Sequence, residues 1–438
     1  MPTSSRLPAL PSLSFDLMRH TLRNGLRVVL APDRRAPVVS IAVLYDVGFR
    51  SEPEGRTGFA HLFEHLMFQG SANLEKLEHF HYIQSSGGIF NGSTHLDHTS
   101  YFEVLPAHAL ERGLFLEADR MRSPRITEEN LANQIAVVKE EIRVNVLNRP
   151  YGGFPWLQLP QLMYDTFPNA HNGYGGFEDL TNATVADASS FFDSYYAPAN
   201  AVLCVAGDFD PDEASEMIER HFGPIRRRKK PQRPDFGEPP LSSERRDVVV
   251  DEIAPIPALA IGYRVVDPAA DFPRYLATVL LAEILSNGDA SRLHRSLVQS
   301  KGLVTDISAY LGTFGDPLEE RDPTRLTITS HYADRSVTDA VIAAIDEELD
   351  RLATGGVEPG ELRRAAVQLA ATISQELDQV MNRSQEFAKF ELLFGDAALI
   401  LRLPELLNEV TDADIRAVAG TLTPTSRAIL ELVPGAAA

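Results

Sequence analysis

The sequence holds a single cysteine, Cys204, among 438 residues. No intramolecular disulfide can form, so the fold must rest on packing, and a reducing, cytoplasmic setting is expected. Cys204 lies in the apolar run AVLCVAG, where a buried, unreactive thiol is expected. No stretch approaches about 18 consecutive apolar residues, so no membrane span is expected. The N-terminal MPTSSRLPALPSLSF has no cationic start followed by a long apolar core, unlike a signal peptide. Positive charge is scarce too: 41 Lys and Arg stand against 61 Asp and Glu, a net charge of −20. That balance argues against a general nucleic-acid binder, which needs a basic footprint.

What is present is ample apolar material, 44% of the residues, which excludes a disordered chain. The length suggests about two to three domains. The densest break is GPIRRRKKPQRPDFGEPPLSSERR, with five consecutive basic residues, Arg226 to Lys230, and then four prolines. Such a stretch makes a poor helix or central strand and reads as a solvated linker. The halves on either side resemble distant copies of each other. Each opens with two strands, NGLRVVLAPD and PVVSIAVLYDVG in the first, RRDVVVDEI and PALAIGYRVV in the second. A helix follows in each, ending at Gly70 and at Gly288, and each half closes on a related strand. The expected fold class is α+β, as two homologous domains, each an antiparallel-rich sheet packed with helices. The expected boundaries are 1–225, a linker 226–246, and 247–438.

The first of these helices contains HLFEH, residues 61 to 65. Positions four apart share a helix face, so His61 and His65 can present their imidazoles to one point. Glu64 sits on the neighbouring edge. This is the arrangement of a zinc helix with an adjacent general base, in inverted order relative to HExxH. Flanked by Phe59, Leu62, Phe63, Leu66 and Met67, the same residues could equally be packed structural groups. A metal site needs a third protein ligand and an open position for water. The candidate lies in TEENLANQIAVVKEEIRVNVLN, a helical stretch opened by Thr127. Leu131, Ile135, Val138 and Ile142 mark its core face. Helical phase puts Glu141 about 90° from that stripe and Glu140 nearly opposite it. Glu141 is therefore the carboxylate able to turn inward, although a solvated pair remains open. If Gly70 is laid on Gly288, His61, Glu64 and His65 fall on Val279, Ala282 and Glu283, so the second copy has no such set.

With these residues in hand, the chain resembles the pitrilysin–insulinase family of zinc peptidases. The family signature is HxxEH followed by a ligand Glu about 76 residues on, and here the spacing from His65 to Glu141 is 76. The likeness extends through GGIFNGSTHLDHTSYFEVLP and YYAPANAVLCVAGDFD, and the duplicated layout looks like the short subunits of the mitochondrial processing peptidase and its bacterial relatives. The resemblance implies one zinc per chain held by His61, His65 and Glu141, water in the fourth position, and Glu64 as general base. It implies an endopeptidase acting on peptides or unfolded segments. It also implies a peptide laid by strand addition along IFNGSTHLDHTSYF, with Asn91, Gly92 and Ser93 as candidate contacts, unless Asn91-Gly92 is simply a turn. His95 and His98 are expected to do supporting or surface work.

Two departures stand out. Relatives often carry a Glu seven residues before the ligand Glu, where this chain has Gln134, expected to shape the outer shell. Active members carry an Arg and a Tyr spaced R-x6-Y, and the matching stretch LVQSKGLVTDIS puts Val298 and Thr305 there. The expectation is a zinc-bearing subunit of a heterodimer whose homologous partner carries the pair. A self-sufficient homodimer or a non-catalytic scaffold subunit are the alternatives.

Overall fold

The computed structural model describes residues 13–435. Residues 1–12, and with them most of the stretch read for a signal peptide, lie outside that range. The described chain forms two sheets. The first has the order β1-β2-β6-β3-β5-β4, built from Met18–Thr21, Arg27–Pro32, Val38–Tyr45, Ile89–Thr94, Thr99–Pro106 and Ala201–Gly207 as β1 to β6. The second has the order β7-β11-β8-β10-β9, from Arg245–Asp251, Ala258–Arg264, Asp306–Leu311, Arg325–His331 and Arg427–Pro434 as β7 to β11. In each sheet one pair is parallel, β2 with β6 and β7 with β11, and the other pairs are antiparallel. Removing β1 makes the two orders identical, β2-β6-β3-β5-β4 against β7-β11-β8-β10-β9. The duplication suspected from the sequence is thus a duplication of topology. The expected α+β class with two sheet-containing units holds.

No helix or strand occurs between Ile225 and β7, and β7 begins at Arg245, two residues inside the stretch expected to be linker. The sheets separate at this stretch, but their coverings do not. Strand alternation sends successive side chains to opposite faces. On β6, Leu203 and Val205 face the helices of their own half, while Val202, Cys204 and Ala206 face the other way. That second face is covered by Val380–Phe394, a helix of the C-terminal half. The reverse exchange occurs on β8. Leu259, Ile261 and Tyr263 face their own helices, while Ala258 and Ala260 pack against Phe154, Leu159 and Met163 of the N-terminal half. Gly262 continues that face, where a Cβ would stand 3.0 Å from the Met163 sulfur. The inner strands of each sheet are therefore buried on both sides, as their nearly continuous apolar runs require. Full burial of each such side chain contributes about 1.5–3 kcal/mol. No helix among the described residues is long and apolar enough to cross a membrane.

Polar ties cross the same seam. The buried Arg50 donates to Asp97 at 2.8 and 3.0 Å and to the Pro323 carbonyl at 2.7 Å. Asp97 also accepts from the Arg321 backbone at 3.0 Å. Asp97 sits in the turn between β4 and β5, so this hairpin is fastened to the C-terminal half.

Candidate metal centre

The HLFEH helix spans Phe59–Leu66. It ends sooner than Gly70, because the following amides already bond three residues back, Phe68 to His65 and Gln69 to Leu66. Its start is closed from a distance. The Glu52 carboxylate accepts from Gly58 N at 2.9 Å and Ala60 N at 2.7 Å, satisfying amides that a helix leaves free. Gly58 has φ of 85°, and a Cβ there would lie 2.8 Å from the Tyr174 carbonyl oxygen. Phe59, Leu62, Phe63 and Leu66 are fully buried, which fixes the rotation of the helix. His61, Glu64 and His65 are left facing a half-open cleft.

The helix Glu128–Ile142 lies across it, capped by Thr127, whose side chain accepts from Asn130 N. Glu141 occupies its last turn, just before a wider turn over Arg143–Leu147. The geometry brings all three expected ligands together. His61 Nε2 and His65 Nε2 are 3.3 Å apart, and Glu141 Oε2 is 3.3 Å from the first and 3.5 Å from the second. Donors at zinc distances of about 2.0–2.1 Å in a tetrahedral shell stand about 3.3 Å apart. The three atoms therefore match one face of such a shell. The donor chemistry fits as well, since imidazole and carboxylate suit zinc. Burial raises the Glu141 pKa, but its contacts with the two imidazoles outweigh that and bring it down to about 2. Glu140 points away to an exposed pairing with Arg143.

The surroundings add groups that the sequence did not single out. Burial lowers the His65 pKa, while Glu141, Glu64 and a hydrogen bond that the imidazole donates to Gln134 raise it further than burial lowers it. Gln134 is buried and thus stands behind a ligand histidine, as an outer partner would. Glu64 accepts a 2.7 Å hydrogen bond from Thr94 Oγ1. Gly92 lies against Glu64, with a Cβ there 3.0 Å from Glu64 Cγ. Tyr174 meets His61 edge to face at 5.0 Å, and Trp156 and then Phe314 continue an aromatic wall at 5.3 and 5.9 Å. Thr94 could have been found by alternation, because Gly92 and Thr94 share one face of β4. Tyr174 and Phe314 carry no local signal.

Of the expected substrate contacts, Asn91 is exposed, Gly92 is buried beside Glu64, and Ser93 hydrogen-bonds His95 at 3.0 Å. Asn91 and Gly92 do not form a turn. They pair with Phe102 and Tyr101 inside β4, the outermost strand of its sheet. The turn falls instead at 95–98, closed by His95 N to His98 O at 2.8 Å. The expectation of surface work for His95 and His98 needs correction, because the hairpin is pressed against the other half and His98 is 1% exposed. In the C-terminal half, Val298 packs on the core, and Thr305 donates to the His331 carbonyl. Cys204 is fully buried, which pushes its thiol pKa far up.

Two duplicated α+β units, the first carrying a His-His-Glu set and an adjacent glutamate, define the class of architecture. The chain belongs to the pitrilysin/insulinase family. Residues 27–151 match Insulinase (Peptidase family M16), and residues 182–369 match Peptidase M16 inactive domain. The zinc protease PqqE of Helicobacter pylori is 28% identical over 84% of this chain and 82% of its own length. The uncharacterized zinc protease YmxG of Bacillus subtilis is 24% identical over 92% of this chain and 94% of its own. A crystal structure of a protease from Helicobacter pylori superposes with a TM-score of 0.87 at 26% identity, covering 96% of this chain and all (100%) of that one. A pitrilysin structure shares the fold, with a TM-score of 0.76 at 19% identity, and this chain covers 46% of it.

Proposed function

We propose that this chain is a zinc-dependent endopeptidase, and that it works as the zinc-bearing subunit of a heterodimer. The observation that carries the peptidase reading is the mutual spacing of His61 Nε2, His65 Nε2 and Glu141 Oε2 at 3.3–3.5 Å, with Glu64 beside them. These three residues would hold the ion. When bound, zinc supplies a Lewis acid for the scissile carbonyl and lowers the pKa of water in its shell toward about 7.

The chain's own groups do the rest. Glu64 takes a proton from the attacking water and delivers it to the leaving amine. Thr94 donates to one Glu64 oxygen, which aims the other at the water. Gly92 leaves the carboxylate room to sit there. The free edge of β4 offers unpaired backbone groups to an extended peptide, placing it beside Glu64. Residues 1–225 and 247–438 serve as the two units in this reading, joined through 226–246. A reducing, cytoplasmic setting goes with it, supported by the lone buried thiol.

The heterodimer reading rests on Val298 and Thr305. A core-packed valine and a threonine bonded to its own sheet supply neither guanidinium nor phenol. The isolated chain should bind about one catalytic zinc and cleave unfolded peptides poorly, and a homologous subunit carrying R-x6-Y should restore cleavage. High turnover from the isolated chain would overturn the division of labour. It would favour a self-sufficient enzyme, for which Tyr174 beside His61 is the phenol at hand. A scaffold role would require no metal and no activity with any partner.

A further inference from the structure

A second set of donors lies at the seam between the halves, and it repeats the arrangement at the first centre. There, one Glu141 oxygen faces two imidazole nitrogens at 3.3 and 3.5 Å. Here, one Glu319 oxygen, Oε1, faces His95 Nδ1 and His98 Nε2 at 3.5 Å each. Neither distance is that of a hydrogen bond, which runs about 2.7–3.2 Å. His95 Nδ1 is buried and has no hydrogen-bond partner, and so is His98 Nδ1. The two rings stack at 4.6 Å with 15° between their planes, held by the tight turn 95–98.

The set borders a cavity of about 220 Å³ that also receives Asp316, Glu376, Glu386 and Lys389. Four carboxylates thus meet one ammonium. Lys389 is already committed, at 2.7 Å to Asp316 and 2.8 Å to Glu386. Glu319 shares a hydrogen bond with Asp316, and the surplus of carboxylates over ammonium leaves negative charge that a further cation would balance. Burial, followed by the Lys389 charge, brings the His95 pKa down to about 4, so this imidazole is neutral, the form that ligates. Burial also pushes the Glu319 pKa up to about 8, a penalty that a nearby cation would remove. A third cluster, His79, Glu103 and Glu117, differs on this point. Its cation is built in, since Arg120 donates to Glu117 at 2.9 Å from within the same buried group.

We propose that His95, His98 and Glu319 form a second divalent-cation site, of the zinc-like class that takes imidazole and carboxylate, which clamps the β4–β5 hairpin of one half to the loop after β9 in the other. The consequence is mechanical. Thr94, which holds Glu64, is the residue next to His95, so an ion at the seam would steady the edge strand beside the first centre.

The test counts ions with cobalt(II) and zinc on stripped full-length protein. Wild type should take up two equivalents per chain. A His61→Ala/His65→Ala variant should keep one, and adding Glu319→Gln should abolish it. If Glu319→Gln does not fold, His95→Asn at a partly exposed position takes its place. In the double variant, zinc should raise the melting temperature by several degrees, and this rise should vanish with the seam ligand changed. A double variant that binds no ion and shows no thermal shift overturns the proposal, and the cavity then holds water alone. Loss of one ion in wild type with one retained in the double variant would instead count against the first centre, not the second.

Discussion

The helices Phe59–Leu66 and Phe272–Ser286 occupy one place in the duplicated topology, each leading from the central strand of the shared order, β3 or β8, toward the outermost one. They have opposite fates. The first keeps one face on a cleft, opposite Glu128–Ile142. The second is enclosed by the helices Glu361–Asp378, Leu399–Glu409 and Asp412–Ala419. With Gly70 laid on Gly288, Val279 and Ala282 fall where His61 and Glu64 stand, and they are 3% and 6% exposed. Glu283, the counterpart of His65, is half-buried, and burial raises its pKa. The fold itself therefore asks nothing polar of this helix. Imidazoles and a carboxylate are tolerable in the first half because a cleft and a third ligand receive them. In the second half they would leave water for a largely apolar helix face, at a cost of about 1–3 kcal/mol per group left unpaired.

The largest effect that tests this contrast is on the base. Glu64→Gln should reduce peptide hydrolysis, assayed with the complementing partner, by about 10²–10⁴-fold, the usual contribution of general acid–base catalysis. Metal content should stay unchanged. Retained turnover would remove Glu64 from its role. Next comes the reciprocal packing. Leu159→Ala removes a fully buried side chain that covers the C-terminal sheet and should destabilise by about 2–5 kcal/mol in chemical denaturation. An unchanged midpoint would mean that the sheets do not depend on each other's coverings.

Grafting the polar set into the second helix, as Val279→His with Ala282→Glu, should cost about 2–4 kcal/mol and create no metal uptake. A stable graft that binds zinc would show that the two helices are interchangeable after all. The smallest effect is expected at the edge strand. Gly92→Ala places a methyl against Glu64, Phe68 and Tyr101, and turnover should fall about tenfold as the carboxylate is displaced. Zinc content and melting temperature should barely move, which separates displacement of the base from loss of the fold.

Much of the site is legible in the chain because it depends on local periodicity. His61, His65 and Glu64 follow from the helix repeat, and Glu141 from the phase of its own helix. The paired strands of each half follow from apolar alternation bounded by turn residues. The placement of β4 was harder. Asn91-Gly92 has the composition of a turn, and only pairing with β5 makes it a strand. His95 and His98 have no helical spacing, and burial by a distant segment decided their environment. Tyr174, Phe314 and Glu319 reach their neighbours from far away in sequence, so no local pattern could announce them.

The sequence by itself determined the elements, their duplication and the one helix able to carry a metal, since helix and strand periods are properties of neighbouring residues. Tertiary structure alone decided which carboxylate oxygen meets which imidazole, which face of each sheet the other half covers, and what lies at the seam. Those outcomes depend on how two units of like topology pack together, and packing is a long-range property that a run of residues does not encode on its own.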